Sequence, residues 1–474
     1  MLGVTLGNYS GSTVMLVNPA MMTNTHAFLD INLASGDLFV FNNFIYIPGS
    51  DYNMWDATNT RPLPEYGEDK NNFLYYDNQD LKNVAVNLRI MGPSAMLQLG
   101  DHAFGFSTGL RVMTTGNKVP WEMPVFGYEG MNYQELHNIK FDDYDIDYQV
   151  NAWGEIGFSY AYNVIKYFDH QLTIGVSLKY LLGYTGAYVD IENIEYIVQN
   201  DSVINITNLK AEVAYALPID YDNNDFPDSG PTIKGSGLGL DIGAVYVKRK
   251  YVDNKRWRRL CGQRYEDYKY RIGVSILDIG RIKYKNNAQL HTYDNVSALW
   301  ENYDTTNLNN LNQLAGDLSN LFYGDPNASL TATSLKVGLP TAISIQADIH
   351  FMENIYLGGY WIHPIRLNKH TLRRPAQLAF VPRYETKFLE FSLPISLYDY
   401  KETRIGAAVR LYFFTIGTDR LGTWFGLSDL NGMDLYFSVK FSLGKGSCKT
   451  VTHNECYNNE YGYSDKQKRL FKKR

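Results

Sequence analysis

The sequence MDLYFSVKFSL, from Met433 to Leu443, alternates strictly between apolar and polar side chains. Because the side chains of a β-strand point alternately to opposite faces, this stretch predicts a strand with one apolar wall and one wall of small or charged residues. A strand of about nine to eleven residues crosses a bilayer when it is tilted. The apolar wall holds Met433, Leu435, Phe437, Val439, Phe441 and Leu443.

The same alternation recurs along the chain, most clearly in 172–180, 343–351 and 404–413. In a soluble β-sandwich the apolar face of such a strand meets a second sheet, and the polar face meets water. In a transmembrane barrel the apolar face meets lipid, and the polar face lines the lumen. Alternation alone leaves both architectures open. Further runs of this kind cover 84–90, 104–112, 155–162, 238–246, 270–276 and 389–397.

The polar faces of these strands carry isolated charges, which would line the lumen of a barrel. Two interpretations stay open: a structural network, in which opposite charges pair to satisfy buried groups, and a selective pathway for a solute. The candidate lumen residues are Arg89, Arg111, Glu155, Lys179, Asp241, Arg271, Asp348, Glu390, Arg404, Arg410, Asp434 and Lys440.

The connections between the strands favour the barrel. Outer-membrane barrels have short turns at the periplasmic end and long loops at the extracellular end. The sequence therefore predicts an all-β fold, an antiparallel transmembrane β-barrel of about 14 strands, within a range of roughly 12–16. The basic stretch 249–267 is long where a short turn is expected, and we interpret it as a larger periplasmic excursion. Short turns at Gly100–Ala103, Lys166–His170, Met352–Asn354 and Asp399–Glu402 largely alternate with long polar stretches at 48–82, 114–146, 184–234, 285–339 and 364–386.

The composition excludes several other classes of protein. The 44 Lys+Arg and 50 Asp+Glu give a net charge of −6, whereas a nucleic-acid binder needs a basic surplus. No apolar run approaches the ~20 residues of a spanning helix. The chain has no G-x-S-x-G, H-E-x-x-H, P-loop or C-x-x-C motif, so we predict no enzymatic activity.

Several short motifs resemble known outer-membrane barrels. Asn18-Pro19-Ala20, ahead of the first strand, resembles the start of FadL-type long-chain fatty-acid transporters. The run Gly273–Gly280 (GVSILDIG), the pair Leu339-Pro340 and the closing Gly432–Tyr436 (GMDLY) are similar to Bacteroidota outer-membrane barrels of unknown function. Those barrels are in turn similar to the PorP/SprF barrels of type IX secretion and gliding. The resemblance covers roughly residues 8–445, and its specificity lies in the order of the motifs.

The resemblance implies a multi-pass barrel of the cell outer membrane with no catalytic residues. Its implied partners are the lipid bilayer and other outer-membrane or periplasmic envelope proteins, with no nucleic acid. The expected domains are a plug-like segment at 1–24, as in FadL, a barrel at 25–445 and a periplasmic tail at 446–474. Met1–Ala20 lacks the basic residues and apolar core of a secretory signal, so we expect the sequence to begin after one.

The expected role is that of a scaffold or partner in an envelope assembly or secretion machine. The first alternative is FadL-like passage of a hydrophobic or small solute. The second alternative, from another class, is a secreted, soluble all-β binding protein. A helical pattern at Asn307–Phe322 predicts a loop helix at the barrel mouth, and the alternative is a lid or partner-binding helix.

Two further sites are predicted outside the strands. An acidic stretch resembles the D-x-D-x-D-G-x-x-D repeats that bind calcium, but it has Asp where those repeats have Gly. Its residues are Asp220, Asp222, Asn224, Asp225 and Asp228, and the alternative is a solvated acidic turn. Apart from this calcium, we expect no cofactor. Cys448 and Cys456 could form a disulfide in the oxidising periplasm, and the alternative is two free thiols.

Overall fold

The computed structural model describes residues 2–59, 73–167, 169–250, 268–303 and 310–444. Strands dominate this part of the chain. In chain order they are β1 (Ala27–Asn42), β2 (Ile45–Tyr46), β3 (Leu74–Tyr75), β4 (Lys82–Met91), β5 (Ser94–Leu99), β6 (His102–Val119), β7 (Lys140–Tyr167), β8 (His170–Asn200), β9 (Val203–Ala216), β10 (Gly235–Arg249), β11 (Tyr268–Tyr284), β12 (Ala288–Glu301), β13 (Leu330–Ala332), β14 (Leu335–Gly338), β15 (Ala342–Met352), β16 (Ile355–Pro364), β17 (Gln377–Glu385), β18 (Leu389–Ser392), β19 (Ile395–Tyr398), β20 (Glu402–Ile405), β21 (Ala407–Leu411), β22 (Phe414–Thr418) and β23 (Gly432–Gly444).

The helices are short and lie between strands or at the N-terminus. They are α1 (Leu2–Thr5), α2 (Met54–Thr58), α3 (Glu122–Glu129), α4 (Leu311–Tyr323) and α5 (Leu421–Trp424), with 3₁₀ turns at Gly11–Leu16, Pro19–Asn24 and Gln134–Leu136. In α4, the Asn310 side chain accepts a hydrogen bond from the backbone N–H of Gln313, and Gly324 ends the helix in the left-handed conformation. Within the described ranges, no helix is long and apolar enough to cross a membrane.

The strands close into a 14-strand antiparallel barrel, as the sequence predicted. Closure occurs where β1 pairs with β23, from Ala27 opposite Gly444 to Phe41 opposite Gly432. Four of the 14 barrel strands are each interrupted and consist of two consecutive segments, namely β4 with β5, β14 with β15, β18 with β19, and β20 with β21. Closing the sheet removes the free edges at which strands of other chains could pair.

The polarity of the barrel is inverted relative to a soluble protein. On β8, Ile174, Val176 and Leu178 point outward and are 50%, 39% and 54% exposed, whereas Ser177 and Lys179 are buried. The same pattern holds on β15, where Ile345 and Ile349 are exposed and Ser344 is fully buried. Soluble monomers rarely expose contiguous apolar surface of this extent. The apolar face is therefore the lipid-facing one, and the sandwich interpretation does not describe this chain.

The two ends of the barrel differ in their connections. Tight turns join β5 to β6, β7 to β8, β15 to β16, β17 to β18 and β21 to β22 at one end, which we call the short-turn end. The other end, the long-loop end, carries most of the long connections. The prediction was wrong for Asp399–Glu402, because this short turn joins β19 to β20 at the long-loop end. The stretch 251–267, which covers most of the predicted periplasmic excursion, lies outside the described residues.

The parity error has an identifiable cause. The sequence pattern predicts a loop over 364–386, but Gln377–Glu385 forms strand β17, which pairs with β16 on one side and with β18 and β19 on the other. Pro382 interrupts the pattern, and proline normally argues against a strand inside a sheet. One missed strand shifts every later connection to the opposite end.

Two strands extend well beyond the barrel wall at the long-loop end. Strand β7 has 28 residues and β8 has 31, whereas the neighbouring β10 pairs with β8 only up to Gly183. Past Gly183, β8 pairs with β9, and β9 pairs with β12. We call this sheet the platform. Side chains of α3 and α4 pack on it, including Val125, Phe126, Leu318 and Phe322.

Candidate functional site

The N-terminal segment, residues 2–24, lies inside the short-turn half of the barrel. Its 3₁₀ turns contact β5, β6, β7, β8 and β10, and α1 contacts β17 and β21. Inward-facing glycines make room for it, since a Cβ atom on Gly243 would lie 2.1 Å from Asn18 Oδ1. A Cβ atom on Gly175 would lie 2.4 Å from the backbone nitrogen of Ala20. The small residues on the polar strand faces therefore correspond to space that the segment occupies.

The side chain of Asn18 takes part in four hydrogen bonds. Its Nδ2 donates to Gln346 Oε1 at 3.0 Å and to the carbonyl oxygens of Ala244 and Val274 at 3.3 Å each. Its Oδ1 accepts from the backbone N–H of Ala20 at 3.0 Å and so caps the turn Pro19–Asn24. The Asn-Pro turn that the sequence indicated is therefore also an attachment to three strands of the wall.

Further attachments surround the segment. Asp30 Oδ1 accepts from both the N–H and the hydroxyl of Ser12 at 2.7 Å. Glu385 Oε1 accepts from the N–H of Asn8 at 2.9 Å, and Lys440 Nζ donates to the carbonyl of Ser10 at 2.6 Å. Because these groups are buried, each bond satisfies a polar atom that water does not reach. The segment is therefore held by polar contacts around its circumference.

The twelve predicted lumen residues all lie on the inward face, but they form separate groups. Five of them meet in the middle of the barrel around Asp278, which the sequence analysis missed. Arg111 pairs with Asp278 and Glu155, both at 3.0 Å, and Lys179 lies 2.8 Å from Asp278 and 2.7 Å from Asp241. Arg89 is farther away, at 3.9 Å from Asp278.

A second group lies near the short-turn end, around Asp348. This carboxylate pairs with Arg271 at 2.8 Å and with Arg383 at 2.7 Å, and Arg383 also pairs with Glu385 at 3.0 Å. Arg271 donates in turn to the carbonyl of Leu6 in the N-terminal segment. The sequence does not indicate Arg383 and Glu385, because they lie on β17, whose pattern predicts a loop.

The remaining predicted residues form smaller groups, of which one adjoins the Asp348 group, since Glu390 lies opposite Glu385 on the neighbouring strand. Arg410 pairs with Glu390 at 2.9 Å near the short-turn end, and its guanidinium lies 4.5 Å from the ring centre of Tyr9. Arg404 stacks at 3.7 Å over the ring of Tyr398 near the long-loop end. Asp434 accepts a hydrogen bond from the N–H of Asp419 at 2.6 Å. The lumen charges are thus paired or hydrogen-bonded in local clusters and do not form one continuous row.

A cavity of about 110 Å³ lies above the N-terminal segment. Thr5, Thr13, Leu16 and Val17 form its floor. Its walls combine apolar side chains with charged ones and are formed by Asp37, Phe39, Asn87, Arg89, Arg111, Met113, Tyr360, Ile362, Arg374, Pro375, Gln377, Tyr398, Asp419 and Asp434.

Residues 365–376, which we call the strap, cross the mouth of the lumen between β16 and β17. Leu372 is buried among the side chains of the upper lumen, and the N–H of Gly338 donates to the carbonyl of His370 at 2.7 Å. Arg366 donates to Asp147 at 2.9 Å, and Lys369 donates to Glu192 at 2.8 Å. The strap therefore joins the β16–β17 side of the barrel to the inner surface of β7 and the platform.

His370 of the strap lies in an acidic surrounding. Its ring stacks on Tyr188 with centres 3.9 Å apart, and Nε2 lies 3.1 Å from Glu212 Oε2. Burial lowers the pKa of His370 below its ordinary value, while Glu212 and Asp190 act in the opposite direction. On the platform, burial and a hydrogen bond with Asp143 raise the pKa of Glu122 to about 7.

The structure does not assemble the predicted calcium ligands. Asp228 pairs with the buried Lys234 at 2.5 Å, and Asp222 Oδ1 accepts from Asn312 of α4. Within the described ranges, no group of three His, Cys, Asp or Glu residues is placed to hold a metal ion. Asp220 caps the turn through Asp222, while Asn224 takes the left-handed conformation with φ of 58°. Cys448 and Cys456 lie outside the described residues, as does the tail at 446–474.

Comparison with known proteins gives one family match. The family described as "Family of unknown function (DUF5723)" matches residues 19–419. No curated protein matches this chain. Among solved structures, a mutant of the TodX monoaromatic hydrocarbon channel is similar at 9% identity, with 92% of this chain and 95% of that chain covered and a TM-score of 0.44.

Two further solved structures are similar to this chain. A Pseudomonas aeruginosa FadL homologue has 11% identity, with 93% of this chain and 96% of that chain covered and a TM-score of 0.43. The transport unit of the autotransporter AIDA-I from Escherichia coli has 8% identity, with 93% and 98% covered and a TM-score of 0.31.

Proposed function

The chain belongs to the DUF5723 family of unknown function, and we propose that it is a non-enzymatic outer-membrane barrel closed by its own N-terminal segment. We propose further that it acts as a scaffold or partner in an envelope assembly or secretion machine. More specifically, we propose that this machine is the type IX secretion system. The observation that carries it is the filled lumen: residues 2–24 occupy the short-turn half and are bonded to the wall on several sides. A lumen filled in this way does not favour bulk flow.

The polarity of the wall supports a location in the outer membrane. Outward Leu110, Phe158 and Ile405 are 59%, 63% and 55% exposed, whereas inward charges such as Arg111 and Asp278 are buried and paired. Full burial of an apolar side chain of this size is favourable by about 1.5–3 kcal/mol, and lipid would cover the exposed part, roughly half, of each. We propose the lipid bilayer as the first partner of the chain, with the tight turns on the periplasmic side.

The interaction role rests on the platform. Since β7 and β8 continue past the wall, β8 pairs with β9 and β9 pairs with β12, the long-loop end presents an ordered sheet. An ordered sheet offers a pre-organised surface, so a partner binds it without the entropic cost of ordering a flexible loop. The hairpin between β8 and β9 turns at Asp201, between Asn200 and Val203.

The passage of a small solute is the second candidate, favoured by the cavity of about 110 Å³ between the N-terminal segment and the strap. In that function, both closures would have to open in turn. The cavity is smaller than a long-chain lipid requires, since an engineered cavity of about 150 Å³ holds only benzene.

The test has two arms. First, the protein should fractionate with the outer membrane and migrate faster in detergent gels before heating than after it. Second, a photoreactive residue at Asp201, the platform tip, should form a discrete protein adduct in intact cells. The matched position is Lys401, at the tip of a short turn at the same end. Recovery of the protein without detergent, or equal adducts from both positions, would contradict the proposal.

A further inference from the structure

A groove on the lipid-facing side of the barrel, which we call the wall groove, crosses the strands β5, β6, β7 and β8. Its volume is about 540 Å³. Two rows of outward side chains border it, and within each row the side chains are direct cross-strand neighbours. One row consists of Ala95, Phe106, Phe158 and Leu178, and the other consists of Leu97, Phe104, Tyr160 and Val176.

The two rows set the width and the length of the wall groove. On each strand the two bordering residues, such as Phe104 and Phe106, are two positions apart, which is about 6.6–6.8 Å along a strand. That gap accepts an extended hydrocarbon chain, but it is narrower than an α-helix, which is about 10–12 Å across. Neighbouring strands lie about 4.7–4.9 Å apart, so four strands give a groove about 14 Å long.

Aromatic rings form the two sides of the wall groove. The ring centres of Phe106 and Phe158 lie 5.3 Å apart on one side, and those of Phe104 and Tyr160 lie 5.4 Å apart on the other. The lining side chains are apolar except for Ser159 and the hydroxyl of Tyr160. The wall groove therefore fits an apolar ligand and offers few hydrogen-bonding groups to a polar one.

The floor of the wall groove is backed by the N-terminal segment. A Cβ atom on Gly105 would lie 2.2 Å from Met15 Sδ and 3.1 Å from Met22 Sδ. On the same inner side, the hydroxyls of Ser159 and Ser177 share a hydrogen bond at 2.5 Å. Because the strands are packed from the inside, the floor has no room to move inward. A ligand therefore binds without the cost of ordering the wall.

The wall groove starts near the short-turn end and runs obliquely away from it. Leu97 lies two residues before the end of β5, whereas Val176 lies six residues after the start of β8. The hydroxyl of Tyr160 is hydrogen-bonded to Nδ1 of His102, the first residue of β6, at 2.8 Å. Tyrosines with an apolar ring and a polar tip are enriched at membrane–water interfaces. One end of the groove thus lies near the interface, and the other lies within the hydrocarbon region.

From this arrangement we propose that the wall groove is a binding site for one acyl chain of a membrane phospholipid. Three observations select this occupant: the groove is continuous with the lipid-facing wall, it is too narrow for a helix, and it has the volume of one chain. A cavity of about 150 Å³ accommodates the six carbon atoms of benzene, so about 540 Å³ corresponds to about 20 carbon atoms. The site rests on the proposed membrane location and goes beyond the scaffold role.

Two outward alanines allow a matched comparison. Ala95→Phe places a ring in the wall groove, whereas Ala347→Phe adds the same ring at an exposed outward position of β15. The full-length protein, purified in detergent, would be titrated with phosphatidylethanolamine, and native mass spectrometry would measure the fraction of protein that carries one lipid. We expect one saturable lipid on the unmodified protein and on Ala347→Phe. In Ala95→Phe the affinity should fall by about fivefold or more.

Proper folding of each variant is checked by its heat-modifiable migration in gels. If Ala95→Phe does not assemble, Phe158→Ala, which removes part of one side of the groove, serves in its place with the same expected loss of affinity. Absence of a saturable lipid, or equal affinities in the groove variant and Ala347→Phe, would overturn the lipid site even if the protein fractionates with the outer membrane. Failure to fractionate with the outer membrane would instead contradict the proposed location.

Discussion

In the short-turn half of the lumen, residues 3–24 fill the space so closely that inward glycines touch them. In the long-loop half, the same alternating strands enclose a cavity that a strap covers. Both halves place polar side chains inward and apolar ones outward. The difference lies in the partners of the polar side chains. In the short-turn half, Arg271 and Lys440 donate to backbone carbonyls of the N-terminal segment, whereas the charges around Asp278 pair with one another. A polar lumen can therefore be filled by the chain itself or left as a cavity.

We expect the largest effect on the free energy of unfolding from a change in the ion cluster around Asp348, near the short-turn end. Asp348→Ala leaves Arg271 and Arg383 buried without their shared carboxylate, and removing one partner of a buried ion pair costs about 3–5 kcal/mol. Urea unfolding in lipid vesicles measures the change in free energy. Ser344→Ala, on the same strand and face, is the control and should cost about 1 kcal/mol. Equal costs for both variants would show that the cluster is not a principal attachment.

A second test exchanges the two faces of β15. Ile345→Arg places a charge in the lipid and should cost about 2–4 kcal/mol, with or without the N-terminal segment. Ser344→Arg should also impair assembly of the full chain, because Ser344 is fully buried within the filled lumen.

Removing residues 2–24 should rescue Ser344→Arg and leave Ile345→Arg impaired. Assembly is measured as the heat-modifiable fraction in outer-membrane extracts. If Ser344→Arg assembles normally in the full chain, the lumen around this residue has free space.

A third test adds one methyl group to the interface between the wall and the N-terminal segment. Gly243→Ala forces Asn18 away, because the new Cβ would lie 2.1 Å from its Oδ1, and overpacking of this kind costs about 1–3 kcal/mol. Limited proteolysis of residues 2–24 should then become faster. The control is Gly127→Ala in α3, where a Cβ atom meets nothing within 4 Å. If residues 2–24 are digested in both variants at the rate of the unmodified protein, the N-terminal segment packs loosely against the barrel wall.

The smallest expected effect is a pH dependence on the platform. Burial raises the pKa of Glu122 to about 7 from an ordinary 4.5, so the packed helix α3 keeps this carboxyl protonated where the free one ionises. Packing of α3 should therefore weaken as the pH rises from about 4.5 to about 7 and change little above that.

Hydrogen exchange of residues 122–129 between pH 5 and pH 8 measures this effect. Glu122→Gln should remove the dependence, while exchange in the N-terminal segment should not respond. A packing that strengthens with rising pH would have the wrong sign for a buried, protonated Glu122.

The sequence predicts most strands of the barrel wall and their two faces, but it does not predict which side chains meet inside the lumen. The alternation in β15 and β23 identifies strands and both faces, because the two-residue period is local information. Strand β17 is missed because Pro382 breaks its pattern, and the orientation of the following turn is then wrong. Asp278 escapes notice because its φ of 56° interrupts the alternation, so that Leu277 and Asp278 are both buried.

The partners of the site residues are not local information. Arg111 and its partner Asp278 are 167 residues apart, and Asn18 and Gln346 are 328 apart. The candidate charges could therefore be selected by their face, but their grouping required the closed barrel. The calcium and disulfide sites remain predictions.

The central claim, that the N-terminal segment closes the barrel, is tested most directly by electrical recording. Single-channel conductance in planar bilayers would be compared between the full chain and a variant that lacks residues 2–24 but assembles with normal heat-modifiable migration. We expect a silent or rarely opening full chain and a steady open current for the variant. A full chain that conducts as steadily as the variant would contradict it.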